Sequence, residues 1–169
     1  MAILASFPMG MREYPETPIV GVGAFVLQDD RVLLVRRGRS PARGKWSVPG
    51  GRVRLGESVE AALLREVREE CGLAIQLKGL VGVVDRIIPD PAGRVQYHYV
   101  LIDYLAAPLA GEARAGSDAE AVRWVPVEEV GHLELTEGLE AMLEKALALE
   151  ASLSGQGSGP GSRADSNGG

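Results

Sequence analysis

Residues 50–73 read Gly50-Gly51-Arg52-Val53-Arg54-Leu55-Gly56-Glu57-Ser58-Val59-Glu60-Ala61-Ala62-Leu63-Leu64-Arg65-Glu66-Val67-Arg68-Glu69-Glu70-Cys71-Gly72-Leu73. A glycine pair opens the stretch, and Gly56 marks a second turn. Ser58 has the chemistry of an N-cap, and Glu57 and Glu60 put negative charge near the positive end of a helix dipole. Val59, Ala62, Leu63, Val67 and Cys71 recur at spacings of three and four, which makes one apolar stripe. Gly72 stands where a left-handed C-cap belongs. The spacing therefore predicts a loop, a helix from about Ser58 to Cys71, and a sharp stop.

The acids of that helix carry the chemistry. Glu66 and Glu70 are four apart and Glu69 is three from Glu66, so their side chains crowd its last two turns. Like charges at this spacing cost about 0.2–0.5 kcal/mol per pair in an isolated helix. Arg65 and Arg68 relieve part of that cost. A solvated charged face is one reading of such a cluster. The other is a grip on a hard divalent cation, which takes several carboxylate oxygens converging on one point.

Context separates the two. Five residues lead from Gly51 to Glu57, and seven more lead to Arg65-Glu66-Val67-Arg68-Glu69-Glu70-Cys71-Gly72-Leu73. The stretch resembles the Nudix box, G-x5-E-x7-R-E-U-x-E-E-x-G-U with U aliphatic. All nine specified positions, spread over 23 residues, are filled. Gly44-Lys45-Trp46-Ser47-Val48-Pro49-Gly50 is similar to the family's usual lead-in. The resemblance implies an α+β fold, an α/β/α sandwich with a mixed sheet between helices and the box as loop-helix-loop.

The rest of the chain bounds the class. Its 169 residues suit one domain, with 46% hydrophobic and 24% charged residues. Aromatics are 5%, so Val, Leu, Ile and Ala must fill the core. A net charge of −5 argues against bulk binding to nucleic acid. The single cysteine, Cys71, excludes an internal disulfide and points to a reducing, cytoplasmic setting. No apolar run is long enough to span a membrane, and the N-terminus lacks the pattern of a signal peptide.

Residues 1–18 read as an arm, 19–150 as the domain and 151–169 as a disordered tail of small polar residues. Ile19–Leu27 and Val32–Arg36 should form a hairpin. Gly21-x-Gly23 has no third glycine opening a helix, which excludes a dinucleotide fingerprint. The loop that follows is basic, with Arg36, Arg37, Arg39, Arg43 and Lys45. Five residues separate Gly38 from Gly44 and Trp46 replaces Ser or Thr, so it is not a P-loop. It is either a solvated loop or a patch that binds substrate phosphates through Arg36, Arg37, Arg43 and Lys45. Leu77–Ile88, Val95–Leu105 and Ala119–Val125 read as strands, Ala107–Ser117 as a flexible loop, and Leu133–Glu150 as a helix.

What the resemblance implies is metal-dependent hydrolysis of a nucleoside diphosphate linked to another moiety, by water attack on phosphorus. Carried onto this chain, Glu66, Glu69 and Glu70 are ligands for Mg2+ or Mn2+, with the Gly50 carbonyl as a further donor. Glu57 braces the loop through Arg65, while Gly51 and Gly72 set turns. The general base is either a box glutamate, Glu69, or an acid from a distant loop, Asp118 or Glu120. Pro89 falls 16 residues after Leu73, near the place of a proline in many ADP-ribose pyrophosphatases of the family. The expected substrate is ADP-ribose or a nucleotide sugar. Nucleoside triphosphates, oxidised ones included, come next, and a non-catalytic nucleotide sensor is the alternative of another class. The implied partners are a small nucleotide and, by analogy, a second copy of the chain; neither nucleic acid nor membrane is expected.

Overall fold

The computed structural model describes residues 12–116 and 119–155. Seven strands form one mixed sheet: β1 (Ile19–Gln28), β2 (Arg31–Arg37), β3 (Trp46–Ser47), β4 (Gly50–Arg52), β5 (Ala74–Pro89), β6 (Val95–Ala110) and β7 (Ala119–Pro126). The main path runs β3-β2-β1-β6-β5, with β4 paired to β1 and β7 to β2. β1 is the hinge of this arrangement. It runs parallel to β6 from Ile19 to Val26, antiparallel to β4 at Gly21–Gly23, and meets β2 only at Leu27 and Gln28.

Helix α1 (Val59–Cys71) and helix α2 (Leu139–Gly155) cover opposite faces of the sheet. Alternation along the strands makes this possible. Val22, Ala24 and Val26 of β1 and Leu33 and Val35 of β2 pack with Ala62, Leu63, Val67 and Cys71 of α1. Phe25, Val32 and Leu34 point the other way and pack with Leu139, Met142, Leu143 and Ala146 of α2. A sheet buried on both faces needs near-continuous apolar strands, which is how Val-Gly-Ala-Phe-Val-Leu and Val-Leu-Leu-Val read. Among the described residues no helix is long and apolar enough to cross a membrane.

α1 is built by its expected signals. The Ser58 hydroxyl accepts from the Ala61 amide, and Gly72 caps the other end at φ 70°. Three other expectations need correction. The second helix begins at Leu139 rather than Leu133, because the preceding backbone is drawn into pairing: Trp46 N donates to Glu134 O, and Thr136 N to Trp46 O. It also continues through Gly155, past the expected start of the tail at 151; residues 156–169 lie outside the described ones. Finally, the segment expected to be a loop from Ala107 opens as strand, since β6 pairs with β5 out to Ala74↔Ala110.

The arm is docked where it is described. Tyr14 N donates to Gln96 O, and the Tyr14 hydroxyl donates to Asp90 in the β5–β6 turn.

Candidate active site

The site grows from one dipeptide. β4 runs so close to β1 that a Cβ on Gly50 would lie 1.9 Å from the Val22 carbonyl oxygen. A Cβ on Gly51 would lie 2.3–2.5 Å from the carboxyl atoms of Glu66. The Glu66 carboxyl thus rests directly on bare main chain. One helical turn later, Glu70 accepts a 2.9 Å hydrogen bond from the Gly50 amide. Two carboxylates from one face of α1 meet one glycine pair.

Arg65 locks this arrangement with five hydrogen bonds. Its Nε and Nη2 clasp Glu57 at 2.7 and 2.9 Å, Nη1 reaches Glu66 at 2.7 Å and Glu69 at 3.2 Å, and Nη2 also reaches Arg52 O at 3.1 Å. Planar guanidinium and carboxylate match as fork to fork. The hydrogen bonds from Arg65 hold the Glu57 carboxyl down to about 2, with the Arg54 amide adding to them. Hydrogen bonding to Glu57 raises Arg65 in turn, against a smaller opposing effect of burial. Glu69 is half exposed and has Arg54 3.8 Å away as a second cation.

Burial of the Arg37 guanidinium lowers its pKa, while the nearby Glu70 pulls the other way. Arg37 is thus a basic-loop residue close enough to feel the charge of Glu70, and its Nε donates to Pro41 O at 3.0 Å. Arg36 and Arg43 instead flank Glu120, at 3.7 and 3.8 Å, and Lys45 is exposed. Glu120 is accordingly the partner of two arginines, away from Glu66 and Glu70 in every contact it makes among the described residues. Asp118 lies outside the described residues. The chain just before it is firmly placed: Gly116 N donates to Glu70 O, Arg114 N to Cys71 O, and a Cβ on Gly116 would lie 2.0 Å from Glu69 O.

Several other residues are packing elements. Burial raises the Cys71 thiol to about 12, so it is no nucleophile at neutral pH. Trp46 sits under Arg123 and pairs with β2. Tyr97 is tied to Glu13 by a 2.5 Å hydrogen bond and stacks on Tyr99. His98 is half-buried, His132 is exposed, and Pro89 ends β5 in the hairpin beside Val95. Asp103 was not singled out from sequence, although it is a lone acid inside an apolar strand; it is buried on β6 beside Gly23, and burial pushes it up to about 6.

The donors at the glycine pair are all oxygens, which is the chemistry that hard divalent cations take. Among the described residues no three His, Cys, Asp or Glu side chains converge into a ready-made cage, because Arg65 and the Gly50 amide hold the carboxylates individually. The residues still fit a cation shared with a ligand: Glu66 lies against Gly51 and Glu70 against the adjacent Gly50, where neither glycine has a side chain to intervene.

The NUDIX domain model matches residues 17–146. The chain belongs to the Nudix family. It is 38% identical over 103 residues to an ADP-ribose pyrophosphatase of Methanocaldococcus jannaschii, covering 61% of this chain and 59% of that one. It is 32% identical over 111 residues to a human 8-oxo-dGDP phosphatase, covering 63% of this chain and 32% of the relative. Among solved structures, a MutT Nudix hydrolase of Burkholderia pseudomallei superposes with TM-score 0.66 at 37% identity, covering 77% of this chain and 98% of that one. Nudix hydrolases generally require divalent metal ions and bind small nucleotides.

Proposed function

We propose that this Nudix domain hydrolyses the diphosphate linkage of ADP-ribose or a nucleotide sugar. One observation carries the reading: Glu66 and Glu70 meet at Gly50–Gly51 with Arg65 bracing the helix beneath them. The name of the Methanocaldococcus relative supports ADP-ribose. The name of the human relative favours a second reading, an oxidised nucleoside diphosphate.

In the reaction, the oxygen of a water attacks one phosphorus of the diphosphate. The bridging P–O bond breaks, its electrons leave with the other phosphate, and the water's proton passes to an acidic side chain. Glu66, Glu70, Glu69 and the Gly50 carbonyl would hold the divalent ion, Mg2+ or Mn2+. When bound, that ion neutralises phosphate charge and lowers the pKa of water. Arg37, whose charge is felt by Glu70, would neutralise a further phosphate oxygen. Asp118 is the proposed base, because Gly116 fastens its segment to the end of α1 and the span from 116 to 118 is about 7 Å when extended. Glu69 is the alternative.

The test is a panel of ADP-ribose, UDP-glucose, 8-oxo-dGDP and a nucleoside triphosphate with magnesium, products being resolved by ion-exchange chromatography. ADP-ribose should yield AMP and ribose 5-phosphate. Nucleotide binding without cleavage of any panel member refutes the enzymatic reading in favour of a sensor.

A further inference from the structure

Three arginines without an ion pair stand around one side chain. Elsewhere the guanidinia of the site have acids to meet: Arg36 and Arg43 share Glu120, Arg65 spans three glutamates, and Arg86 meets Glu137. Among the described residues, Arg12, Arg37 and Arg52 form no such pair. They come from three separate parts of the chain, yet all act on Tyr99 of β6. Burial raises the pKa of the Tyr99 hydroxyl, and the charges of Arg12, Arg37 and Arg52 pull it back down.

Strand register and the arm explain the meeting. Tyr99 pairs with Ile19 of β1 on one side and Arg86 of β5 on the other. Arg52 pairs with Gly21, two residues along β1 from Ile19, and Arg37 ends β2. Arg12 arrives on the arm. The next residue, Glu13, accepts from the Tyr97 hydroxyl, and the Tyr97 ring stacks on that of Tyr99. The residue after that, Tyr14, donates its amide to Gln96 O at 2.7 Å and its hydroxyl to Asp90 at 3.0 Å. Two fastened neighbours thus hold Arg12 near Tyr99, although its own side chain makes no hydrogen bond among the described residues.

The patch borders the acids of α1. Burial lowers the pKa of Arg37, Glu70 opposes it, and the charges of Arg12 and Arg86 add to the lowering. Like charges gathered in this way repel until an anion joins them. Arg12 and Arg37 are half-buried and Arg52 is exposed, so their heads can meet a solute at the surface. A guanidinium fork matches phosphate oxygens two at a time.

We infer that Arg12, delivered by the arm, joins Arg37 and Arg52 in an anion subsite for substrate phosphate oxygens that the glutamate-bound ion does not reach. This deepens the hydrolase reading above and rests on its diphosphate substrate. The arm is then part of the binding site rather than a tether.

The experiment titrates the full chain with inorganic pyrophosphate in a calorimeter, at fixed ionic strength and with EDTA to keep metal out. Wild type should bind, and Arg12→Gln should bind about 10-fold more weakly or worse, the loss of a hydrogen bond between charged groups. Arg31→Gln removes the same charge at the distant β1–β2 turn and should stay within about twofold, since exposed charges that far off are screened. On the panel substrate cleaved fastest with magnesium, Arg12→Gln should raise KM about 10-fold and leave kcat within about threefold. Pyrophosphate binding unchanged in Arg12→Gln, an equal loss in Arg31→Gln, no binding by wild type, or an unmoved KM overturns the inference while leaving the enzymatic reading intact. Arg12-dependent binding in a chain that cleaves no panel member does the opposite: the anion subsite stands and the enzymatic reading falls.

Discussion

Replacing Gly51 with alanine isolates the proposed site from the fold. The added Cβ would stand 2.3–2.5 Å from three carboxyl atoms of Glu66, where ordinary contact begins at 3.4 Å. Glu66 must therefore retreat by about 1 Å, and misplacing a positioned group by that much costs about 100-fold in rate. At 1.36 kcal/mol per tenfold this is about 2.7 kcal/mol of transition-state stabilisation. Stability should hardly change. The obstacle is the end of a flexible side chain, so overpacking costs about 1 kcal/mol, the low end of its range. Gly51 is not among the left-handed glycines, and the alanine returns about 0.4–1 kcal/mol by restricting the unfolded chain. Gly56→Ala should do the reverse. With φ 81° and nothing within 4 Å, it suffers backbone strain of about 1–2 kcal/mol and disturbs no carboxylate. Measuring kcat/KM on ADP-ribose with magnesium, alongside calorimetric melting, separates the pair. A Gly51→Ala protein with wild-type kcat/KM would refute the placement of Glu66 at the reacting centre.

Glu70→Gln retains an acceptor for the Gly50 amide, so the melting temperature should move by less than about 2 °C while turnover falls by more than about 100-fold; wild-type turnover would exclude Glu70 as a ligand. Glu57 has its pKa depressed from 4.5 to about 2, so its stabilising contribution is present above about pH 4.5 and fades as pH falls toward 2. Melting curves of wild type and Glu57→Gln should therefore lie apart at pH 6 and converge toward pH 3; a constant gap contradicts the pairing with Arg65. Gly116→Ala must lift its loop from backbone rather than from a movable side chain, since the Cβ would sit 2.0 Å from Glu69 O. It should cost about 1–3 kcal/mol and lower kcat; a stability loss with kcat intact would remove the proposed base from this loop.

Helix α1 was legible because its signals are local. Ser58, the apolar stripe and Gly72 lie within a few residues of the groups they satisfy, and the motif added a known fold to that helix. What sequence did not reveal depends on partners far along the chain. Leu133–Gly138 has a helical look, yet Glu134 and Thr136 are claimed by Trp46. Arg36 and Arg43 read as free cations until β7 brings Glu120 between them. Ala107–Ala110, small and without strong propensity, is strand because β5 offers it a ladder. One acid in a strand has no periodicity to mark it, and only the strand register places Asp103 beside Gly23, its carboxyl pressed against that glycine.

Arg65 also bears on how the domain lives without its ion. A guanidinium already spans Glu57, Glu66 and Glu69, so the acidic end of α1 has a built-in counter-charge before any solute arrives. Metal-dependent folds such as zinc fingers come apart when stripped. Here a chelator should silence turnover yet leave the melting curve nearly where it was, and restoring the ion should revive activity with no refolding step.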